Sequence, residues 1–253
     1  MRWIAGSHFA FVLASTMAAA APAEAQTVNW SGFYVGANAG YGWADLAGTD
    51  GFLQTDGTVF GITPGAVQQY PAEDSTSSFG GWLGGVQAGY QLQWGQWVAG
   101  LEADFQWTDI GEKGQSLGSD QGPTYNTSAK IDTFGTVRLR GGWAMGNVLF
   151  YATGGLAYGQ GKGAVSVKPG TPTMPVPGGP YAGSDSHVTV GWTIGGGVEL
   201  ALSEAISLKV EYLHVDLGDA TYRFDLAGSG GSFIEQKQAL DMDLVRMGLN
   251  VRF

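Results

Sequence analysis

The chain contains no cysteine. Disulfide frameworks, zinc–thiolate sites and cysteine nucleophiles are therefore excluded at the outset. Charge is scarce as well: Asp, Glu, Lys and Arg make up 13% of the 253 residues, about half the usual share of a soluble domain. The bases are the scarcer kind, with 12 Lys and Arg against 22 Asp and Glu and a net charge of −10. Such a balance argues against a nucleic-acid partner, which needs clustered cations to neutralise phosphates. Beyond the N-terminus no apolar run approaches the roughly 20 residues of a membrane-crossing helix. Yet 44% of the chain is hydrophobic, 12% is aromatic, and there are 43 glycines. These facts agree if apolar and polar residues alternate, so that one face meets lipid and the other meets water.

The first residues read as an export signal. Met1-Arg2-Trp3 gives a basic start, followed by the Ala-rich apolar stretch from Ile4 to Ala21. Pro22 then precedes Ala23-Glu24-Ala25, an A-x-A cleavage pattern. Ser7, His8, Ser15 and Thr16 interrupt the stretch and no basic stop-transfer flank follows, so a membrane anchor fits less well. Residues 1–25 are expected to be removed, leaving 26–253 as one domain with two histidines, His187 and His214.

The mature chain alternates between strand-like segments of about ten residues, enough to cross a bilayer at a tilt, and polar connections. Eight segments are expected, near 33–43, 80–92, 97–107, 133–144, 148–158, 188–202, 206–217 and at the C-terminus. In the first, Phe33, Val35, Ala37, Ala39, Tyr41 and Trp43 share a face opposite Tyr34, Gly36, Asn38, Gly40 and Gly42. In the third, Trp97, Ala99, Leu101, Ala103, Phe105 and Trp107 oppose Glu102, Asp104 and Gln106. Seven segments show this period of two, and the faces of 148–158 stay unassigned because alternation there is poor. Gly, Thr, Val and aromatic residues dominate, which disfavours helix. The connections 93–96, 145–147 and 203–205 are short, whereas 44–79, 108–132, 159–187 and 218–239 are long. Alternating tight and extended links are what periplasmic turns and external loops produce. The expected fold is an all-β, up-and-down antiparallel transmembrane barrel of about eight strands.

Three stretches carry a family resemblance. Trp30-Ser-Gly-Phe-Tyr-Val-Gly-Ala-Asn-Ala-Gly-Tyr-Gly-Trp43 resembles the opening strand of the small alphaproteobacterial outer-membrane β-barrel proteins, often labelled "porin family". Tyr151-Ala-Thr-Gly-Gly-Leu-Ala-Tyr-Gly159 and Trp192-Thr-Ile-Gly-Gly-Gly-Val-Glu199 resemble its middle strands, and Val251-Arg-Phe253 its end. The resemblance implies an OmpA-like eight-stranded barrel in the outer membrane, in contact with lipid and lipopolysaccharide; with the last strand ending at Phe253, no peptidoglycan-binding domain is expected after it. The last strand, with Val245, Met247, Leu249, Val251 and Phe253 on one face, resembles the pattern read by the barrel-assembly machinery, an extended edge that strand addition can recognise.

Facing inward, on this reading, are Glu102, Asp104, Glu199 and Glu211 together with Arg138, Arg140, Lys209, Arg246 and Arg252. An eight-stranded barrel is just wide enough for side chains to fill, and charges confined there must pair. The expectation is a structural plug of salt bridges; a narrow ion path is the alternative. Other chemistry is weakly supported. Glu102 and Asp104 lie beside arginines that keep carboxylates ionised, which suits no general acid. His214 and Asp216 share a face on the seventh strand, but no Ser nucleophile has fitting spacing for a lipid-modifying enzyme. Haem capture would need ligands such as Tyr70, Tyr125, Tyr181 or Tyr222 from the loops. No cofactor or metal is expected. The first long link is acidic (Asp45, Asp50, Asp56, Glu73, Asp74), and the third holds five prolines, Pro169, Pro172, Pro175, Pro177 and Pro180, which stiffen it. A loop ligand of unknown kind is compatible with both.

Overall fold

A computed structural model describes residues 28–54, 67–71, 76–117, 124–168, 181–225 and 233–253. The expected leader, the Pro-rich link and Asp56, Glu73 and Asp74 lie outside these residues, as do the side chains of Asp50, Tyr70, Tyr125, Tyr181 and Tyr222.

Among the described residues ten strands form one antiparallel sheet. They are β1 (Gly32–Gln54), β2 (Val67–Pro71), β3 (Thr76–Trp94), β4 (Trp97–Thr108), β5 (Gly111–Leu117), β6 (Thr124–Met145), β7 (Val148–Lys168), β8 (Tyr181–Ala201), β9 (Ile206–Asp225) and β10 (Phe233–Arg252). Eight of them build the wall, in the order β1-β3-β4-β6-β7-β8-β9-β10, and β10 pairs back onto β1. That closure runs from Tyr34↔Arg252 to Gln54↔Phe233, so the sheet has no edge within the membrane. β2 and β5 are short additions, paired to the outer parts of β1 and β6. At the other end the chain reverses tightly. Gly95 and Gly146 each adopt a φ of +62° in those turns, a left-handed conformation that glycine tolerates and other residues resist.

The eight segments are where the periodicity predicts them, but most strands continue well past the predicted ends. β1, β6, β7, β8, β9 and β10 are 20 to 23 residues long, about twice what a tilted strand needs to span a bilayer. The predicted long links are therefore partly strand. Beyond the lipid the outward face has no apolar requirement, so the ladder continues through backbone pairing while the alternation fades. Register shifts at Ile131/Thr133 and Ala239/Asp241 mark where β6 and β10 change character, a common device at barrel rims.

The outer surface bears out the alternation. Leu101, Val137, Leu139, Leu156, Ile194 and Met247 are exposed in a band around the wall. Aromatic residues fringe it on both sides, with Trp43, Trp82, Trp107, Tyr158 and Trp192 above and Phe33, Trp94, Trp97, Trp143 and Phe253 below. Such girdles flank the lipid-facing belt of outer-membrane barrels. β7, unassigned from sequence, alternates after all: Phe150, Leu156 and Tyr158 point out, and Leu149, Tyr151, Thr153 and Ala157 point in. Its inward residues include an aliphatic and an aromatic side chain, which is why polarity could not separate the faces.

The interior is layered. Toward the long-strand end lies an apolar cluster of Leu83, Ile110, Ile131, Phe134, Leu213, Val215, Leu217, Met242 and Leu244, with Ala44 and Ala157. Toward the tight turns lies a second, Val28, Trp30, Val98, Ala144, Leu149, Tyr151 and Ala201. The charged residues occupy the space between.

Candidate functional site

Inward-facing positions on β4, β6, β8, β9 and β10 deliver eight charged side chains to one layer. Glu102, Asp104, Arg138, Arg140, Glu199, Lys209, Glu211 and Arg246 are all buried. Two pairs arise from register alone, since Glu102 stands directly opposite Arg138 and Glu211 directly opposite Arg246. The others cross the lumen. Lys209 Nζ donates to both oxygens of Glu102 at 3.0 Å, although Glu199 is its neighbour across the strand pair. Arg246 reaches Asp104 at 2.9 Å and Glu211 at 2.6 Å. Arg138 binds Glu102, Asp104 (2.9 Å) and Glu211 (3.2 Å). Arg140 pairs with Glu199 and places its guanidinium 3.6 Å from the centre of the Tyr151 ring. Four carboxylates meet four cations, so the layer is neutral.

Neutral groups satisfy much of the remaining demand. The Tyr34 hydroxyl donates to Glu102 at 2.7 Å, Tyr151 to Glu211 at 3.0 Å, and Thr136 to Asp104 at 2.8 Å. Asn250 and Ser207 donate to Glu199, and Gln87 links Asn250 to Asn38. Glycines make room for the two phenols. A Cβ at Gly89 would run into the Tyr34 ring, and one at Gly197 would stand 2.7 Å from the Tyr151 hydroxyl.

Arg252, expected among the lumen charges, lies apart from this layer. Its guanidinium sits 4.5 Å from the Trp30 ring centre, and Nη1 donates to the Asn29 carbonyl at 2.9 Å. Trp30 is fully buried, and its backbone N–H donates to Gln93 at 2.7 Å. Together they close the turn-side mouth with the first described residues of the chain. The terminal strand presents Val245, Met247, Leu249 and Val251 to the outside, and Phe253 is 78% exposed. The Phe253 N–H donates to the Phe33 carbonyl at 2.8 Å.

His214 has a different acid partner from the one its spacing suggests. Its Nδ1 lies 3.0 Å from Asp243 Oδ1, which also accepts the Tyr212 hydroxyl at 2.6 Å. Asp216 instead accepts the Gly218 N–H at 2.7 Å. Asp243 faces His214 across the β9–β10 pairing, a relation that spacing within one strand cannot reveal. Histidine 187 lies within β8, its Nε2 2.9 Å from Asp185. Among the described residues no group of three His, Asp or Glu side chains is arranged to hold a metal ion.

Tyr34 and Ser207 were reachable from period two, since both lie on inward faces. Tyr151 was hidden by the ambiguous strand. The apolar layer carries a different signal: over 212–217 the polarity of the faces exchanges, with Leu213, Val215 and Leu217 turned inward while His214 and Asp216 take the outward positions. A strand apolar on its inward face fills the barrel as a core does.

The family model for the outer membrane protein beta-barrel domain matches residues 9–253. The chain belongs to this family. Among relatives of this outer-membrane barrel, the 31 kDa outer-membrane immunogenic protein of Brucella melitensis is 34% identical over 245 residues, covering 96% of this chain and 91% of that protein. A 22 kDa outer membrane protein of Rhizobium leguminosarum is 28% identical, covering 89% and 79%. The 25 kDa outer-membrane immunogenic protein of Brucella abortus is also 28% identical, covering 92% and 84%. The protein is thus a structural outer-membrane barrel of eight wall strands, with an internal salt-bridge network that can plug its lumen.

Proposed function

We propose that this barrel does not conduct, and that it serves envelope integrity while presenting its outer strands and loops at the cell surface. The observation that carries this reading is the stacking of an ionic layer between two buried apolar clusters. An ion would have to leave water, cross packed leucine and phenylalanine side chains, and then displace a neutral network in which every charged side chain already has a partner of opposite sign. Each step is costly. In planar bilayers the wild-type protein is expected to give a flat baseline at potentials where general porins open. Discrete steps that vanish on substitution of Lys209 or Glu102 would establish the narrow pore instead.

The termini fit the same reading. Residues 1–25 act as a cleaved export signal, and the strand ending in Phe253 directs assembly through the barrel-assembly machinery. The burial of Trp30, five residues after the cleavage point, supports a short mature N-terminus tucked into the periplasmic mouth. Protein recovered from outer membranes should begin at Gln26 by intact mass, and deletion of Phe253 should sharply reduce the amount recovered. Retention of the leader, or unchanged yield without Phe253, would count against these assignments.

A further inference from the structure

Charge is distributed unevenly around the outer rim. On the β9–β10–β1 side, Asp216, Asp241 and Asp45 stand side by side in register, with Asp243 two residues below. The β6–β7 side is the reverse. Lys130 and Lys162 are directly opposed across the strand pair, and their side chains are 53% and 56% exposed. Asp132, the extra residue of the β6 bulge, lies between them, 2.9 Å from the Lys130 ammonium and 2.5 Å from that of Lys162. Hydrogen bonds from Lys162 and Lys130 hold its carboxyl below the usual carboxylate range.

Two ammonium groups and one carboxylate leave one net positive charge. Each ammonium has three donors; Asp132 engages one of each, and both lysine side chains are more than half exposed. The bulge thus holds two lysines close together where repulsion would otherwise part them. Their height is telling. Lys162 shares the outward face of β7 with Tyr158 and lies four residues beyond it, about 10 Å along the membrane normal at the usual rise and tilt. Flexible lysine stems at that height reach the interfacial layer above the aromatic girdle.

We propose that Lys130 and Lys162, aligned by Asp132, form a binding site for a phosphorylated lipid headgroup of the outer leaflet. The lipid docks on the β6–β7 side, where its phosphate meets both ammoniums and its chains lie along the belt residues Leu156 and Tyr158. The carboxylate row on β9, β10 and β1 repels the same headgroup, so the lipid is held on one flank. This inference rests on the barrel being inserted in the outer membrane.

The test is titration of the folded protein in detergent with diphosphoryl lipid A, read by native mass spectrometry. The double substitution Lys130→Ala/Lys162→Ala is expected to weaken binding about tenfold, whereas Lys130→Arg/Lys162→Arg retains it. Asp132→Asn keeps an acceptor oxygen between the two ammoniums, and so the alignment, while removing the negative charge that competes with the phosphate; it should strengthen binding, a direction that a merely structural carboxylate would not give. Equal binding by the double alanine variant, or by fully dephosphorylated lipid A, would overturn the proposal. Heat-modifiable migration of every variant on a denaturing gel reports the barrel separately: its loss in the wild type would sink the membrane reading, while its retention with unaltered lipid binding sinks only the site.

Discussion

Arg138→Ala is expected to lower the stability of the folded barrel by about 3–5 kcal/mol, the range for breaking a buried ion pair from one side. The side chain is completely buried and contacts three carboxylates on two strands, Glu102 and Asp104 of β4 and Glu211 of β9. Truncation leaves four acids facing three bases in a space without bulk water. The cost lies in the stranded negative charge more than in the lost contacts, which separates this change from an ordinary cavity. Arg138→Met combined with Glu102→Gln restores the balance and should recover much of the loss. Urea unfolding in lipid vesicles, followed by the mobility of the unheated band, measures both. A loss for the single variant within the roughly 0.5 kcal/mol typical of surface substitutions would mean that the network does not hold the wall together.

Phe134→Ala should cost a similar amount, about 3–5 kcal/mol, for a different reason. Phe134 has no exposed surface and sits in the apolar cluster at the outer end of the lumen. Its removal takes a large aromatic from a core bounded by a closed wall, which can collapse only slightly around the void. Leu139→Ala is the control, because Leu139 is 70% exposed on the outer face of the same strand, where lipid chains refill the space. The same unfolding assay should rank Phe134→Ala far below Leu139→Ala. Equal losses would show that the outer end of the lumen is not a packed core.

Much of this fold is legible in the sequence, because a membrane-spanning strand has two environments that force a period of two. Phe33 to Trp43, Trp97 to Trp107 and Val245 to Phe253 each declare their lipid face, and the inward charges follow by parity. Legibility fails where one environment changes. Above the girdle the outward face meets water, so the continuation of β6 from Thr133 back to Thr124 leaves no apolar trace. Inside, Leu149 and Tyr151 replace the polar partners that parity expects, and β7 reads as faceless. Partnerships between strands are hidden in another way. Parity places Lys209 and Glu102 in the same lumen, but nothing along either strand shows that Lys209 passes over Glu199, its neighbour, for an acid across the barrel. Arg252 likewise has the parity of a lumen charge, and only the position of Trp30 explains why it stands aside.

The ionic layer has a mechanical consequence. In the wall order β4 and β9 lie half a circumference apart, so Lys209 and Glu102 span the full width of the barrel. The contacts of Arg246 with Asp104 and of Arg138 with Glu211 each span three strands of the ring. These act as spokes within a hoop. Squeezing the circular cross-section toward an ellipse lengthens one axis, and the spokes along it must come apart where no water waits to receive the separated charges. The hoop alone, held by hydrogen bonds that pivot easily, would yield to lateral pressure; the spoked hoop stays round.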